Sequence, residues 1–284
     1  MDRVETRELQ YFVAVAEELH VGHAAERLGI AQPPLSRAIQ QLERRLGVTL
    51  LDRSGRGVTL TPAGSVLLHE GRAALDAVAA AERRARRAGS AETPPRLVLV
   101  TKAGASVELL AKLLDAYAAE PDAVGVELLL CGPGEQERTL RDGRADVALL
   151  HRPFDSTAGL DVEELVREGQ VAVLPAGHPL GTRSHLRLAD VEAVPDLPLP
   201  RWPRADGSFP DGPGPQVRNH EQLFQLIALG QTLAVLPDSV RVQLRSGHAV
   251  VPLVDAPSVT TVIAWPPQSI SRPLAALVRT ATRL

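Results

Sequence analysis

The sequence predicts an α plus α/β chain, with a helical N-terminal part, one long helix, and a C-terminal α/β part of two subdomains. Three observations carry this. Residues 22–46 read as two helices joined by a tight turn. After Thr61-Pro62, a strong helix start, no proline follows until Pro94, so one helix can run from Pro62 to about Ala88. From Arg96 onward, short continuous apolar runs alternate with helical patterns.

Leu9, Phe12, Val13, Val15 and Ala16 give a first amphipathic helix. Ala24, Ala25 and Leu28 make the apolar face of a short second one, and Gly29 supplies the left-handed residue at which it stops. Ile30 fills the angle between helices, and Pro33 sits in the first turn of the next, where its missing N–H costs nothing. Leu35, Ile39, Leu42 and Leu46 recur at helical spacing and point inward, leaving Gln32, Pro33, Pro34, Ser36, Arg37 and Gln40 outward. Short or bidentate polar groups at the start of such a helix suit base edges and phosphates, which is how a helix-turn-helix reads a major groove. The alternative is an ordinary helical hairpin with a polar outer face. Two apolar stretches, Val48–Leu51 and Val58–Leu60, flank a glycine-containing turn and predict a hairpin, or wing, whose tip carries Arg53 and Arg56 as phosphate or minor-groove contacts.

The helix from Pro62 would be roughly 40 Å long at about 1.5 Å per residue. Val66, Leu67, Ala74, Leu75, Val78 and Ala81 form a stripe along it that a small N-terminal domain is not expected to cover, which predicts a dimer. Arg83-Arg84-Ala85-Arg86-Arg87 suits the negative end of the helix dipole, with DNA contact as the alternative, and Ala88–Pro95 reads as a linker.

This order of elements resembles the LysR-type transcriptional regulators. The resemblance rests on Leu9-Gln10-Tyr11-Phe12, Ala24-Ala25-Glu26-Arg27-Leu28, Gln32-Pro33-Pro34-Leu35-Ser36, Ile39, Leu42-Glu43, Leu46-Gly47, Leu51-Asp52-Arg53 and Leu60-Thr61-Pro62-Ala63-Gly64. Leu51 stands where the family commonly has phenylalanine, and His23 where serine, threonine or arginine is usual. The resemblance implies a DNA-binding domain over 1–60, a dimerisation helix and hinge over 61–93, and an effector-binding domain over 94–284 that resembles periplasmic binding proteins. Its subdomains are expected at about 94–155 with 256–284, and at about 156–255. It also implies double-stranded promoter DNA, a homodimer or homotetramer, and RNA polymerase as partners.

In the C-terminal part, strands are predicted at Leu97–Val100, Val126–Leu130, Val147–Leu150, Val171–Leu174, Leu197–Leu199, Leu233–Leu236, Val250–Val254 and Val259–Ala264, in mainly parallel sheets. Helices are predicted at Val107–Ala119, Glu135–Arg141, Glu221–Leu229 and Pro273–Arg283, with the chain crossing between subdomains near Arg152–Thr157 and returning near Asp255–Ser258. Open α/β sheets bind ligands at the carboxyl ends of their strands. That rule and the family's effector cleft select Thr101, Lys102, Gly104, Cys131, His151, Arg201, Trp202, Asn219 and Thr232. Lys102 and Arg201, with helix N-termini, would favour an anionic effector. The family usually has a helix after Trp202, but Pro203–Pro215 is too rich in proline and glycine to form one. Gly230-Gln231-Thr232 replaces a common Gly-x-Gly, and Thr232 adds a hydroxyl.

Composition bounds the remaining classes. Residues 1–90 hold thirteen arginines against eleven carboxylates, and the rest hold eighteen basic against twenty-three acidic groups, so the basic excess lies with the groove-reading helix. No apolar run approaches a membrane span and the N-terminus is not of signal-peptide type, which predicts a cytoplasmic chain with no membrane partner. The eight histidines show no metal-ligand spacing, and neither a Gly-x-Ser-x-Gly elbow nor a phosphate-binding glycine loop occurs. No enzyme, metal or cofactor is expected. The single cysteine, Cys131, reads as a pocket-lining residue, with a redox sensor as the alternative. A solute-binding protein would leave residues 1–90 unexplained, and a nucleoid-type protein would not need the α/β half.

Overall fold

A computed structural model describes residues 4–53, 57–89, 96–204, 207–267 and 269–284, arranged in two compact units. The first contains α1 (Thr6–Glu18), α2 (Val21–Leu28), α3 (Gln32–Leu46), β1 (Leu51–Asp52), β2 (Thr59–Leu60) and α4 (Pro62–Gly89). Gly29 ends α2 at φ 68° and Gly47 ends α3 at φ 69°, left-handed conformations that favour glycine. Phe12 and Val15 of α1, Ala24 and Ala25 of α2, and Leu35, Ile39 and Leu42 of α3 share one core, against which Ile30 packs. Polar ties fix the helices around it. Glu8 takes both terminal nitrogens of Arg45, at 2.6 and 2.9 Å, joining α1 to α3. Glu17 of α1 meets Arg27 of α2 and Arg72 of α4, each at 2.8 Å.

The short hairpin pairs Leu51 with Leu60 and Asp52 with Thr59, antiparallel. Glu43 Oε1 accepts from the N–H groups of Leu50 and Leu51, so α3 itself anchors the first strand. Arg56 and the rest of the 54–56 tip lie outside the described residues, as does the 90–95 part of the expected linker. The helix α4 runs through Gly89, so Ala88 and Gly89 belong to it rather than to the linker.

The stripe on α4 is corrected in part. Leu67 and Leu75, together with Leu68, pack against the core of the first unit, and Gly71 lets α1 approach closely, with Leu9 and Val13 against it. Val66, Ala74, Val78 and Ala81 stay exposed, Val66 at 64% and Val78 at 40%. A narrower apolar stripe is therefore left uncovered within this unit.

The second unit contains two sheets. The first is built from β3 (Arg96–Lys102), β4 (Gly125–Cys131), β5 (Val147–Arg152), β6 (Asp161–Glu168) and, from the chain's end, β10 (Val259–Trp265), in the order β4-β3-β5-β10-β6. Its helices are α5 (Val107–Ala118), α6 (Gln136–Arg141) and α9 (Arg272–Ala281). Leu97 and Leu99 of β3 face Leu113 of α5 and Leu277 of α9, while Val98 and Val100 face Leu140 of α6. Burial on both faces explains the continuous apolar run. The second sheet is built from β7 (Gln170–Pro175), β8 (Ala234–Pro237) and β9 (His248–Pro252), in the order β8-β7-β9, with α7 (Leu188–Glu192) on one face and α8 (His220–Ala228) on the other.

Three expectations change. Among the strands of the described residues, β3–β4 and β3–β5 pair in parallel, whereas β10 runs antiparallel to both β5 and β6, and both pairings of the second sheet are antiparallel. Leu197–Leu199 forms no strand, Leu197 serving instead as a core side chain. The chain does not cross near Arg152–Thr157: β6 pairs with β10 in the first sheet, so the crossing falls at Gly169, between β6 and β7. The return lies between β9 and β10.

Gly64 gives a direct test of the first unit. A methyl group there would sit 2.1 Å from the Leu50 carbonyl oxygen. Gly64→Ala is expected to lower the stability of this unit by about 2–3 kcal/mol through overpacking against backbone, read as a shift in urea midpoint without a change in slope.

Candidate functional site

In the first unit, the buried stripe Leu35–Ile39–Leu42 fixes which side of α3 faces outward. Gln32, Pro33, Pro34, Arg37 and Gln40 are exposed, and Ser36 is half-buried beside them. The helix begins at Gln32 behind Ala31, whose side chain offers no cap, and Pro33 and Pro34 occupy its first turn, where two of the unsatisfied N–H groups are thereby absent. The outward polar face thus begins at the helix N-terminus. Arg53 is exposed beyond β1, with its guanidinium 4.0 Å from Glu43. His20 caps α2 by accepting from His23 N–H at 3.2 Å, and the two rings stack. His23 is thus held by His20.

In the second unit, a cavity of about 500 Å3 opens between the two sheets, at the carboxyl ends of β3 and β5. Lys102 ends β3, and its Nζ lies 3.0 Å from Asp155 Oδ2. The same oxygen accepts from His151 N–H at 2.7 Å and from Gln136 Nε2 at 3.4 Å. Burial by itself would raise the Asp155 carboxyl; the His151 contacts and the Lys102 ammonium outweigh it and hold the group below the ordinary carboxylate value. His151 Nε2 is 2.8 Å from Ser106 Oγ, while its Nδ1, buried and 3.6 Å from Asp155, makes no hydrogen bond among the described residues.

The opposite wall comes from α8, β8 and the turn after β8. His220 Nδ1 donates to the Ala103 carbonyl at 2.9 Å, and Gln243 Nε2 donates to the Gly104 carbonyl at 2.6 Å. Gly104 has φ +80°, and a Cβ there would come within 3.0 Å of His220 Nδ1, so glycine permits this close approach. Burial pushes His220 below the ordinary imidazole value; the Ala103 carbonyl opposes this, and Lys102 and His151 add to it. Trp202 meets the His220 ring edge-on, 5.7 Å between centroids.

Of the residues selected from the sequence, Lys102, Gly104, His151 and Trp202 line this cavity. The others point elsewhere, each for a local reason. Thr101 is wholly buried in β3, one residue short of the strand end. Cys131 donates weakly to the Thr101 carbonyl at the neighbouring strand end. Arg201 turns into its own proline- and glycine-rich loop, donating to the carbonyls of Gly214 at 2.6 Å and Pro210 at 3.0 Å. Asn219 caps α8 by accepting from Gln222 N–H, and Thr232 Oγ1 donates to the Pro198 carbonyl. The sequence reading missed Ser106, Asp155, His220 and Gln243 among the lining residues. Asp155 follows β5 closely enough that the strand-end rule could have found it; the other three come from a helix start and from elements across the cavity.

An N-terminal helix-turn-helix with a hairpin, combined with a two-sheet α/β unit enclosing a cavity, is the architecture of a ligand-responsive DNA-binding regulator. Comparison with known proteins makes the class specific. Residues 6–65 match the family described as bacterial regulatory helix-turn-helix protein, lysR family, and residues 90–283 match the LysR substrate binding domain. The chain belongs to the LysR family of transcriptional regulators. It is 34% identical to the HTH-type transcriptional regulator IlvR of Caulobacter vibrioides, over 98% of both chains. It is 38% identical to the HTH-type transcriptional regulator AlsR of Bacillus subtilis, over 70% of this chain and 66% of that one. Among solved structures, CbnR complexed with its target DNA aligns over 99% of both chains at 27% identity and a TM-score of 0.53.

Cys131 separates two readings of this unit. Burial first, and the Glu135 carboxylate after it, push its thiol up to about 11, with Lys102 opposing. At pH 8 about one molecule in a thousand would carry the thiolate, the reactive form. Iodoacetamide is expected to label native Cys131 far more slowly than the same residue in denatured protein; equal rates would restore the redox-sensor reading.

Proposed function

We propose that this chain binds double-stranded promoter DNA as a homodimer or homotetramer and regulates transcription in response to a small molecule held in the cavity of its second unit. The single observation that carries DNA binding is the outward face of α3, where Gln32, Ser36, Arg37 and Gln40 are presented by a helix whose inner face is locked by Leu35, Ile39 and Leu42. Pro33 and Pro34 set the start of that face. Arg53, exposed beyond β1, is read as a phosphate contact, and so from the sequence is Arg56, which lies outside the described residues. Residues 1–60 form the DNA-binding part, 61–93 the pairing helix and hinge, and 94–284 the sensor. Regulation by occupancy requires that the ligand bind two arrangements of the sensor with different affinity. The protein acts by binding rather than by catalysis, at promoters in the cytoplasm, with RNA polymerase as the partner that reads the outcome. The structure of CbnR with its target DNA supports this reading by analogy.

Loss of a base contact is worth about 1–3 kcal/mol, so Arg37→Ala and Ser36→Ala should weaken binding to the target sequence about fivefold or more. Arg53→Ala should weaken specific and nonspecific binding alike and flatten the salt slope by about one unit. Gel-shift titrations at several salt concentrations measure both effects, and unchanged binding in all three variants would sink the assignment.

Subunit pairing is supported by the exposed stripe on α4. Val78→Glu should weaken the oligomer by about 2 kcal/mol or more, roughly thirtyfold in Kd, because it buries an unpaired carboxylate. Leu75→Glu instead damages the first unit, since Leu75 packs on its core. Sedimentation velocity with circular dichroism distinguishes the two. A Val78→Glu variant that stays fully assembled would place the interface elsewhere.

A further inference from the structure

We propose that the cavity takes a ligand of zero net charge, mainly apolar, with a hydrogen-bond acceptor beside a donor, as in an amide, rather than the anion expected from its cationic residues. The proposal rests on the reading of this cavity as the effector site.

Charge is the first argument. Among the described lining residues, Lys102 brings the one full positive charge and Asp155 the one full negative charge, and they are paired at 3.0 Å with side chains only 13% and 5% exposed. An anion that recruited Lys102 would have to pull it from Asp155 and leave a buried carboxylate without its counter-ion, a costly arrangement. Arg201, the other cation expected here, is engaged by the carbonyls of Gly214 and Pro210 and does not line the cavity.

The remaining polar groups specify a neutral partner. The start of α5 adjoins the cavity at Ala105 and Ser106, and the Ser106 side chain makes no cap there, being bonded to His151. Helix-start N–H groups carry only about half an elementary charge, which Glu108 in the first turn offsets further. That suits a carbonyl oxygen better than a full carboxylate. Across the cavity, the Ala103 carbonyl can only accept, so His220 Nδ1 carries the ring proton and Nε2 is left as an acceptor. Nε2 has no partner among the described residues, and a ligand donor satisfies it. The lowered pKa of His220 agrees with a neutral ring. Phe154, Leu199, Trp202, Val235 and Val240 supply apolar walls, and about 500 Å3 is room for one ring with a short polar arm.

Three probes of matched size separate the charge classes: 2-phenylacetamide, phenylacetate and 2-phenylethylammonium, each titrated into the full-length protein near pH 7.5. Binding is read by tryptophan fluorescence and thermal shift. Two variants locate the site, Trp202→Phe removing the fluorescence response and Val235→Trp filling the cavity. The amide is expected to bind at least about tenfold more tightly than either ion, and Val235→Trp to abolish its binding. Asp155→Asn, which frees Lys102, should improve phenylacetate binding relative to the amide about tenfold or more. If either ion binds the wild-type cavity as tightly as the amide, the proposal is overturned while the cavity remains a ligand site. If no probe at millimolar concentration binds in a manner removed by Val235→Trp, both the proposal and the effector-site reading are overturned. The wild-type comparison stands even if Asp155→Asn fails to fold.

Discussion

Four nitrogen atoms lie around one oxygen of Asp155, and the floor of the cavity follows from that arrangement. Lys102, the His151 backbone and Gln136 are within 3.4 Å of Oδ2, and the His151 ring lies a little farther off. A buried carboxylate is tolerable only when its lone pairs are met and its charge balanced. Meeting them draws the end of β3, the end of β5 and α6 to one point. The His151 ring, on the residue whose backbone is held there, reaches Ser106 at the start of α5 through Nε2. Removing Asp155 would leave Lys102 as a buried cation without its carboxylate, so the two charges depend on each other.

The far side of the cavity is held by a different kind of contact. His220 and Gln243 both donate to backbone carbonyls of the short segment between β3 and α5, and the approach is close enough to need a glycine at Gly104. Backbone acceptors carry no net charge, so this junction can separate without stranding an ion. The Asp155 cluster cannot. A rigid charged floor with a wall held by neutral hydrogen bonds is a physical basis for two arrangements that a ligand could distinguish.

The first unit solves another problem: it must leave one helix face bare. Arg45 and Glu8, Glu43 and the Leu50–Leu51 backbone, and Glu17 with its two arginines bind α3, the hairpin, α2 and α4 to α1 or to one another. None of these ties uses Gln32, Ser36, Arg37 or Gln40. The face is therefore polar and free while its helix is held firmly, which lets such side chains be presented in fixed register.

Much of this was legible in the residues. The three N-terminal helices, the turn at Gly29, the start of α4 at Thr61-Pro62 and the outward set on α3 all follow from periodicity, left-handed glycine and capping, signals contained within a few residues. The strand β6 was not legible. Asp161–Glu168 carries charge on an edge strand, and a bulge at Leu165, between the partners of Thr261 and Val262, breaks the alternation a reader would seek. Strand direction in the second sheet was equally hidden, because an apolar run fits a parallel or an antiparallel neighbour. The same limit governs the site. Sequence alone determined that Lys102 stands at a strand end and that Arg201 precedes a loop unable to form a helix. Only the tertiary structure decided that Asp155 neutralises the first and the loop's own carbonyls hold the second. Helical faces and caps are written in adjacent residues, whereas the partner of a charge is set by which distant backbone comes to lie beside it.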